Sequence, residues 1–218
     1  MAQSPKSGRQ RWRRRKAARP AEILDAALAS FVERGFAATR LDEVARRAGV
    51  TKGTVYLYYR SKQALFRAVV EELVVPEVAR AEREVRAFHG TSADLLRKLV
   101  HDWWRTVGLS RLRGIPKLMT AESGNFPDLA RYFVTHVAQR ARRVFAGVLR
   151  RGMRDGEFRR CNVEYAVRVL VAPLVFAAIW EGSLAKFDKP YRMQRYLDTH
   201  LDMFLNGLSV VPGKDGRR

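Results

Sequence analysis

Residues 39–66 read TRLDEVARRAGVTKGTVYLYYRSKQALF: two short helical patterns around a Gly49-Val50 turn, followed at once by a third capped start. Leu41, Val44, Ala45 and Ala48 recur at the three-and-four spacing of one buried stripe. Thr39 stands at the cap position of that first helix with Asp42 three residues on, the spacing of a capping box. Gly49 follows the last apolar position, where a residue without Cβ accepts the left-handed backbone that turns the chain sharply. The second helix has Thr51 as its cap and runs through Tyr59. At about 100° per residue, Val55 and Tyr59 share a small apolar inward face, and Gly53, Tyr56, Leu57 and Arg60 share the opposite one.

That opposite face mixes a bare backbone, a phenol, an aliphatic and a guanidinium, which gain little on an isolated surface. A major groove gives each a use. Gly53 lets backbone approach, Leu57 can meet a thymine methyl, and Tyr56, Thr54 and Lys52 can bond phosphates or base edges. Ser61 caps the third helix, and Lys62 in its first turn adds a cation where a phosphate would sit over free N–H groups. Double-stranded DNA is therefore the first partner to expect.

Charge agrees with that partner: 42 Lys and Arg against 22 Asp and Glu give a formal net charge of +20. Eight of the basic residues, Lys6, Arg9, Arg11, Arg13, Arg14, Arg15, Lys16 and Arg19, lie in residues 1–20 with no acid among them. Such a segment cannot bury a core, so it reads as a flexible arm that orders along phosphates or in a minor groove. It lacks the apolar segment of roughly 7 to 15 residues that a secretory leader needs, and Trp12 is its one strong apolar anchor, too little for a membrane surface.

From Ala21 to about Glu72 the chain, through AEILDAALASFVERGFAATRLDEVARRAGVTKGTVYLYYRSKQALF, resembles the DNA-binding domain of the TetR family of bacterial transcription regulators. Ile23, Ala27 and Phe31 match its buried row, Gly35-Phe36 the end of its first helix, and Thr39 the opening of the next. The resemblance implies phosphate contacts from Thr39, Tyr56 and Lys62, groove contacts from Thr51, Lys52, Gly53 and Thr54, and a buried role for Tyr59. Arg40, Leu57 and Tyr58 complete the expected DNA-facing set. Tyr58 stands where many relatives carry histidine, so its contact differs in kind and no relative's operator can be borrowed.

The remaining two thirds read as a second, all-helical domain, giving an all-α chain divided into an arm (1–20), a helix-turn-helix domain (21–66), a ligand-binding and dimerisation domain (67–208) and a loose tail (209–218). A long helix from Ser61 is disturbed by Pro76; Thr91 with Asp94 caps another; a shorter one spans Arg111 to Glu122; Pro127 opens one ending near Asp155-Gly156; Asn162 and Pro190 begin the last two. The run Val169 to Trp180 is apolar nearly all round yet shorter than the roughly 20 residues of a membrane span. Such a helix needs cover on more than one side, so Leu174 and Ile179, with Leu197, Leu201 and Phe204 of the last helix, are expected in a homodimer interface. A dimer of this kind would set two reading helices on a palindromic operator.

Trp103, Trp104, Met119, Phe126 and Phe133, with Tyr132, recur at helical spacing, and spacing alone assigns them to a core. The resemblance implies instead a cavity for an unknown small-molecule effector, apolar or aromatic by composition, with His101, His136 or Glu122 as polar contacts. Its filling would tilt the helix beginning at Ser61, separate the two reading heads and release DNA. An enzyme is disfavoured: His89, His101, His136 and His200 fall at no metal-ligand spacing, the lone Cys161 has no partner, and no phosphate-binding glycine loop occurs, so neither metal nor cofactor is expected. One unpaired cysteine and no leader fit a cytoplasmic, nucleoid-associated protein. The other reading is a sequence-indifferent basic DNA-binding protein of the nucleoid, without a ligand.

Overall fold

The computed structural model describes the backbone of residues 6–210 and the side chains of residues 19–210, and among these there are helices and connections but no strand. The helices are α1 (Lys6–Ala38), α2 (Leu41–Arg47), α3 (Lys52–Tyr58), α4 (Lys62–Val69), α5 (Val75–Ala87) and α6 (Ser92–Trp103). They are followed by α7 (Gly114–Glu122), α8 (Pro127–Phe133), α9 (Gln139–Arg154), α10 (Val163–Glu181) and α11 (Met193–Leu208). From Lys6 onward the expected arm is helical backbone continuous with α1. Its Arg, Lys, Gln and Ala are good helix formers, and polarity that keeps a segment out of a core does not keep it out of a helix. The side chains of residues 1–18, which would meet phosphates, and the tail beyond residue 210 lie outside the described residues.

Four expected side-chain caps hold: Thr51 accepts from the Thr54 amide at 3.2 Å, Ser61 from Ala64 at 3.1 Å, Thr91 from Asp94 at 3.0 Å, and Asn162 from Tyr165 at 3.1 Å. Thr39 does not cap α2. Arg40 occupies the cap position without a side-chain bond, while the buried Thr39 hydroxyl donates toward the Gly35 carbonyl at 2.7 Å and the Ser30 carbonyl at 3.1 Å. The reason lies upstream. Gly35, at φ 83, breaks α1 and leaves carbonyls that need a donor, and Thr39 supplies it. Pro190 does not start α11 either; it stays in the lead-in before Met193.

Pro76 disturbs the helix from Ser61 without ending it. It sits in the first turn of α5, just after a π-helical turn over Val70–Val74 that loosens the backbone where a proline lacks an amide hydrogen and crowds the carbonyl one turn back. Two more π turns follow, Trp104–Gly108 at the end of α6 and Val134–Ala138 between α8 and α9.

Two cores hold the fold. In the first, Phe31, Phe36 and Phe66 meet with ring centroids 5.4 to 5.8 Å apart, around Ile23, Val44, Val55 and Leu65. This core does not stop at residue 66: Ile115, Leu118 and Met119 of α7 and Leu129 of α8 belong to it. A head of about that size buries too little surface alone and borrows cover from the next domain. The second core joins α6, α9, α10 and α11 through Leu96, Leu149, Leu170, Leu174, Leu197 and Leu201.

Candidate DNA interface and ligand cavity

The turn between α2 and α3 forms as its sequence requires: Gly49 takes φ 65, and the Val50 amide donates to the Ala45 carbonyl at 3.0 Å. It seats α3 with Val55 fully buried and the Gly53, Tyr56 and Leu57 side open to solvent, Leu57 at 76% exposure and Tyr56 at 44%. So large an uncovered aliphatic on a seven-residue helix has no role in the chain's own packing. Lys52 pairs with Asp42 at 2.9 Å across the two helices, and this hydrogen bond and charge raise its pKa; its Nζ also stands 5.9 Å from the Tyr56 ring centroid. Arg40, Thr51, Lys52 and Gly53 are exposed as expected, and the Thr51 and Thr54 hydroxyls bond each other at 2.9 Å.

Three expected contacts are placed differently. Thr39 has its hydroxyl turned inward. Lys62 is half-buried: its ammonium donates to the carbonyls of Ala37 at 2.7 Å and Thr39 at 3.0 Å and lies 4.8 Å over the Phe36 ring. Burial pushes its pKa down, and its charge caps the carbonyls at the end of α1 rather than standing free for a phosphate. Tyr58 is half-buried against the first core, its ring 6.3 Å from that of Tyr59. Tyr59 is also half-buried, and burial raises its pKa.

Between α5, α6, α7, the α8–α9 helix and α10 lies a cavity of about 530 Å³ whose exposed wall is mostly apolar. Trp103, Met119 and Phe133 line it as expected. Trp104 and Phe126 do not. Trp104, about 100° further round its helix than Trp103, is buried in the second core, and Phe126, at the cap position of α8, packs on Phe36 with centroids 4.6 Å apart. Most of the wall is aliphatic, including Val74, Val78, Val107, Val134 and Val171, which no spacing distinguishes from ordinary core valines. All three π turns contribute residues to it, Val74, Val107 and Val137 among them, and π turns concentrate at functional sites.

None of the expected polar contacts reaches the cavity. His101 pairs with Asp198 at 3.0 Å, His136 stacks on Tyr132 with its Nδ1 2.9 Å from the Tyr132 carbonyl, and Glu122 accepts from the Ala37 amide at 3.1 Å. Charged groups that sequence reasoning missed, Glu77, Arg80, Glu84, Asp102 and Arg142, line it instead. Among the described residues no group of three or more His, Cys, Asp or Glu could hold a metal ion.

Leu174, Leu197 and Leu201 are buried in the second core, so they are closed to a partner, while Ile179 and Phe204 are half-buried. The uncovered apolar row on α10 is Tyr165, Val169 and Phe176, 58 to 66% exposed, with Ala172 between them. A helix apolar all round carries no pattern to say which side faces inward, so spacing alone does not distinguish the buried Leu174 from the exposed Val169. By length and composition α10 could cross a membrane, yet its Leu170, Leu174 and Ala178 are core residues of the helical body.

Comparison with known proteins gives two family models: bacterial regulatory proteins of the TetR family over residues 23–69, and the AefR-like transcriptional repressor C-terminal domain over residues 94–207. The transcriptional repressor KstR2 of Rhodococcus jostii is 27% identical over 86% of this chain and 91% of its own length. The regulator AcrR of Shigella flexneri is 38% identical, over 42% of this chain and 43% of that protein. The structure of FadR from Bacillus subtilis, in complex with stearoyl-CoA, shares the fold with a TM-score of 0.72 at 18% identity, covering 86% of this chain and 98% of that one. The second model alone spans more than half the chain, and with the open face of α3 it settles the assignment: the chain belongs to the TetR family of DNA-binding transcriptional regulators.

Proposed function

We propose that this chain acts in the cytoplasm as a homodimeric repressor that sits on a palindromic operator and leaves it when an apolar small molecule fills the cavity. The observation that carries the reading is a shared helix. Ile115 and Met119 of α7 belong at once to the wall of the cavity and to the core of the reading head, and Glu122 at the end of α7 holds the Ala37 amide. A molecule that displaces α7 therefore moves α1 and α4 with it. In a dimer closed through Tyr165, Val169 and Phe176, that movement changes the spacing of the two α3 helices, which must match successive major grooves. A sequence-indifferent binder has no use for such a cavity.

The cavity lies within the usual 300 to 1,000 Å³ range for small-molecule sites. Its aliphatic wall suits a long apolar body, and similar proteins carry names that mention fatty acid metabolism, stearoyl-CoA and ketosteroids. Within the DNA site, Tyr56 and Lys52 bond phosphates, while Gly53, Thr54 and Leu57 meet base edges, with Arg40, Thr51 and Tyr58 at the margin. The test is selection of bound fragments from a random duplex pool, followed by titration of apolar compounds against the recovered fragment. A two-fold symmetric sequence released by one class of compound supports the reading; recovery of no preferred sequence overturns it.

A further inference from the structure

We infer that the cavity takes an anionic amphiphile, with Arg142 binding its carboxylate or phosphate head and the aliphatic wall its chain; this rests on the cavity being the effector site. The argument is one of charge balance. Arg80 reaches Glu77 at 3.1 Å, Glu84 at 3.7 Å and Asp102 at 4.0 Å. Lys98 holds Glu84 at 2.6 Å and Asp102 at 2.8 Å, and Arg105 holds Asp102 at 2.5 Å. Three carboxylates thus face three cations, and the cluster is neutral. Glu84 Oε2 takes no hydrogen bond, but the Arg80 guanidinium already offsets its charge.

Arg142 is left over. It lies half-buried on the cavity wall, its Nε donates to the Ala138 carbonyl at 3.3 Å, and among the described residues no carboxylate comes within 4.0 Å of its guanidinium. A guanidinium carries five N–H donors in a planar fork that matches a carboxylate or phosphate two bonds at a time, so one bond to a carbonyl leaves most of its capacity free. Placed beside an apolar wall, it favours a ligand that brings a negative end and an apolar body together. A neutral apolar ligand leaves that fork without an anion, and a cationic one meets repulsion.

The experiment measures binding of decanoate, decyl phosphate, decanol and decyltrimethylammonium to the full chain and to Arg142→Gln and Arg142→Lys, with thermal unfolding as the check on folding. A hydrogen-bonded charge is worth about 1.5 kcal/mol at the low end, so decanoate or decyl phosphate should bind about tenfold more tightly than decanol. Which of the two binds better identifies the head group. Arg142→Gln should erase the preference for the anions, and Arg142→Lys should keep part of it. Equal affinity for decanoate and decanol, a preference for the cation, or a preference that survives Arg142→Gln overturns the inference while leaving the cavity as the effector site. If none of the four binds, the effector-site reading falls and takes this inference with it.

Discussion

The Ala37 amide donates to Oε1 of Glu122 at 3.1 Å, which ties the end of the first helix to the last residue of α7. The same oxygen lies 2.9 Å from where a Cβ on Gly35 would stand, so a side chain there would push the carboxylate aside, and the backbone itself, at φ 83, favours glycine. One carboxylate thus adds a polar tie to the core that the reading head and the ligand domain share.

Glu122→Ala removes the acceptor. Stability should fall by about 1 kcal/mol, since the amide is only partly buried and water can take it up. The larger effect falls on coupling: operator affinity without ligand should change little, while release by ligand should weaken. Urea unfolding together with DNA titrations in the presence and absence of ligand checks both, and an undiminished ligand effect would show that α7 does not carry the signal.

Leu57 and Tyr56 separate two kinds of DNA contact. Leu57→Ala removes an exposed side chain from α3, so stability should stay within about 0.5 kcal/mol while the preferred base at one operator position relaxes. Tyr56→Ala should instead weaken binding to every sequence alike. Competition among operator variants at fixed salt distinguishes the two; unchanged base preference in Leu57→Ala would remove that residue from the groove.

On α10, Val169→Asp places a charge on the exposed apolar row and should yield a folded monomer with greatly weakened operator binding. Leu197→Asp, at a fully buried site, should unfold the chain because an unpaired charge cannot be solvated there. Sedimentation and circular dichroism of the two variants check the assignment. A Val169→Asp protein that remains dimeric would place the interface elsewhere.

Tyr132 of α8 reaches Glu71 in the π turn after α4, at the edge of the first core. Burial, and then donation of its hydroxyl to the Glu71 carboxylate, push its pKa up to about 12 from the ordinary 10.0. The folded state therefore keeps this proton where the unfolded chain loses it. The contribution is complete below pH 10 and fades as pH rises from about 10 through about 12. Urea unfolding from pH 8 to 12 should show a steeper loss of stability in the wild type than in Tyr132→Phe. Parallel curves would mean that the bond to Glu71 does not persist in solution.

Local signals were legible where a residue's neighbours in sequence are also its neighbours in space. Thr51, Ser61 and Thr91 cap their helices because a cap bonds an amide three residues away. Gly49 turns the chain because positive φ is a property of that residue alone. Thr39 failed as a cap because the carbonyls freed at Gly35, in another helix, compete for its hydroxyl. Lys62 shows the same limit: its position in a helix's first turn is plain in the sequence, but not that the end of α1 lies beneath it and takes its hydrogen bonds.

The sequence by itself determined that this protein is helical, that a helix-turn-helix opens it, and that the α3 face with Gly53, Tyr56 and Leu57 points away from the core. Each follows from periodicity and caps that act within about a turn of the chain. Only the tertiary structure decided which of two adjacent tryptophans lines the cavity, which leucines of α10 and α11 are closed to a partner, and that α7 shares one core with the reading head. Those choices depend on which helix packs against which. An apolar side chain gains about as much from one apolar neighbour as from another, so nothing in its type records the neighbour it meets.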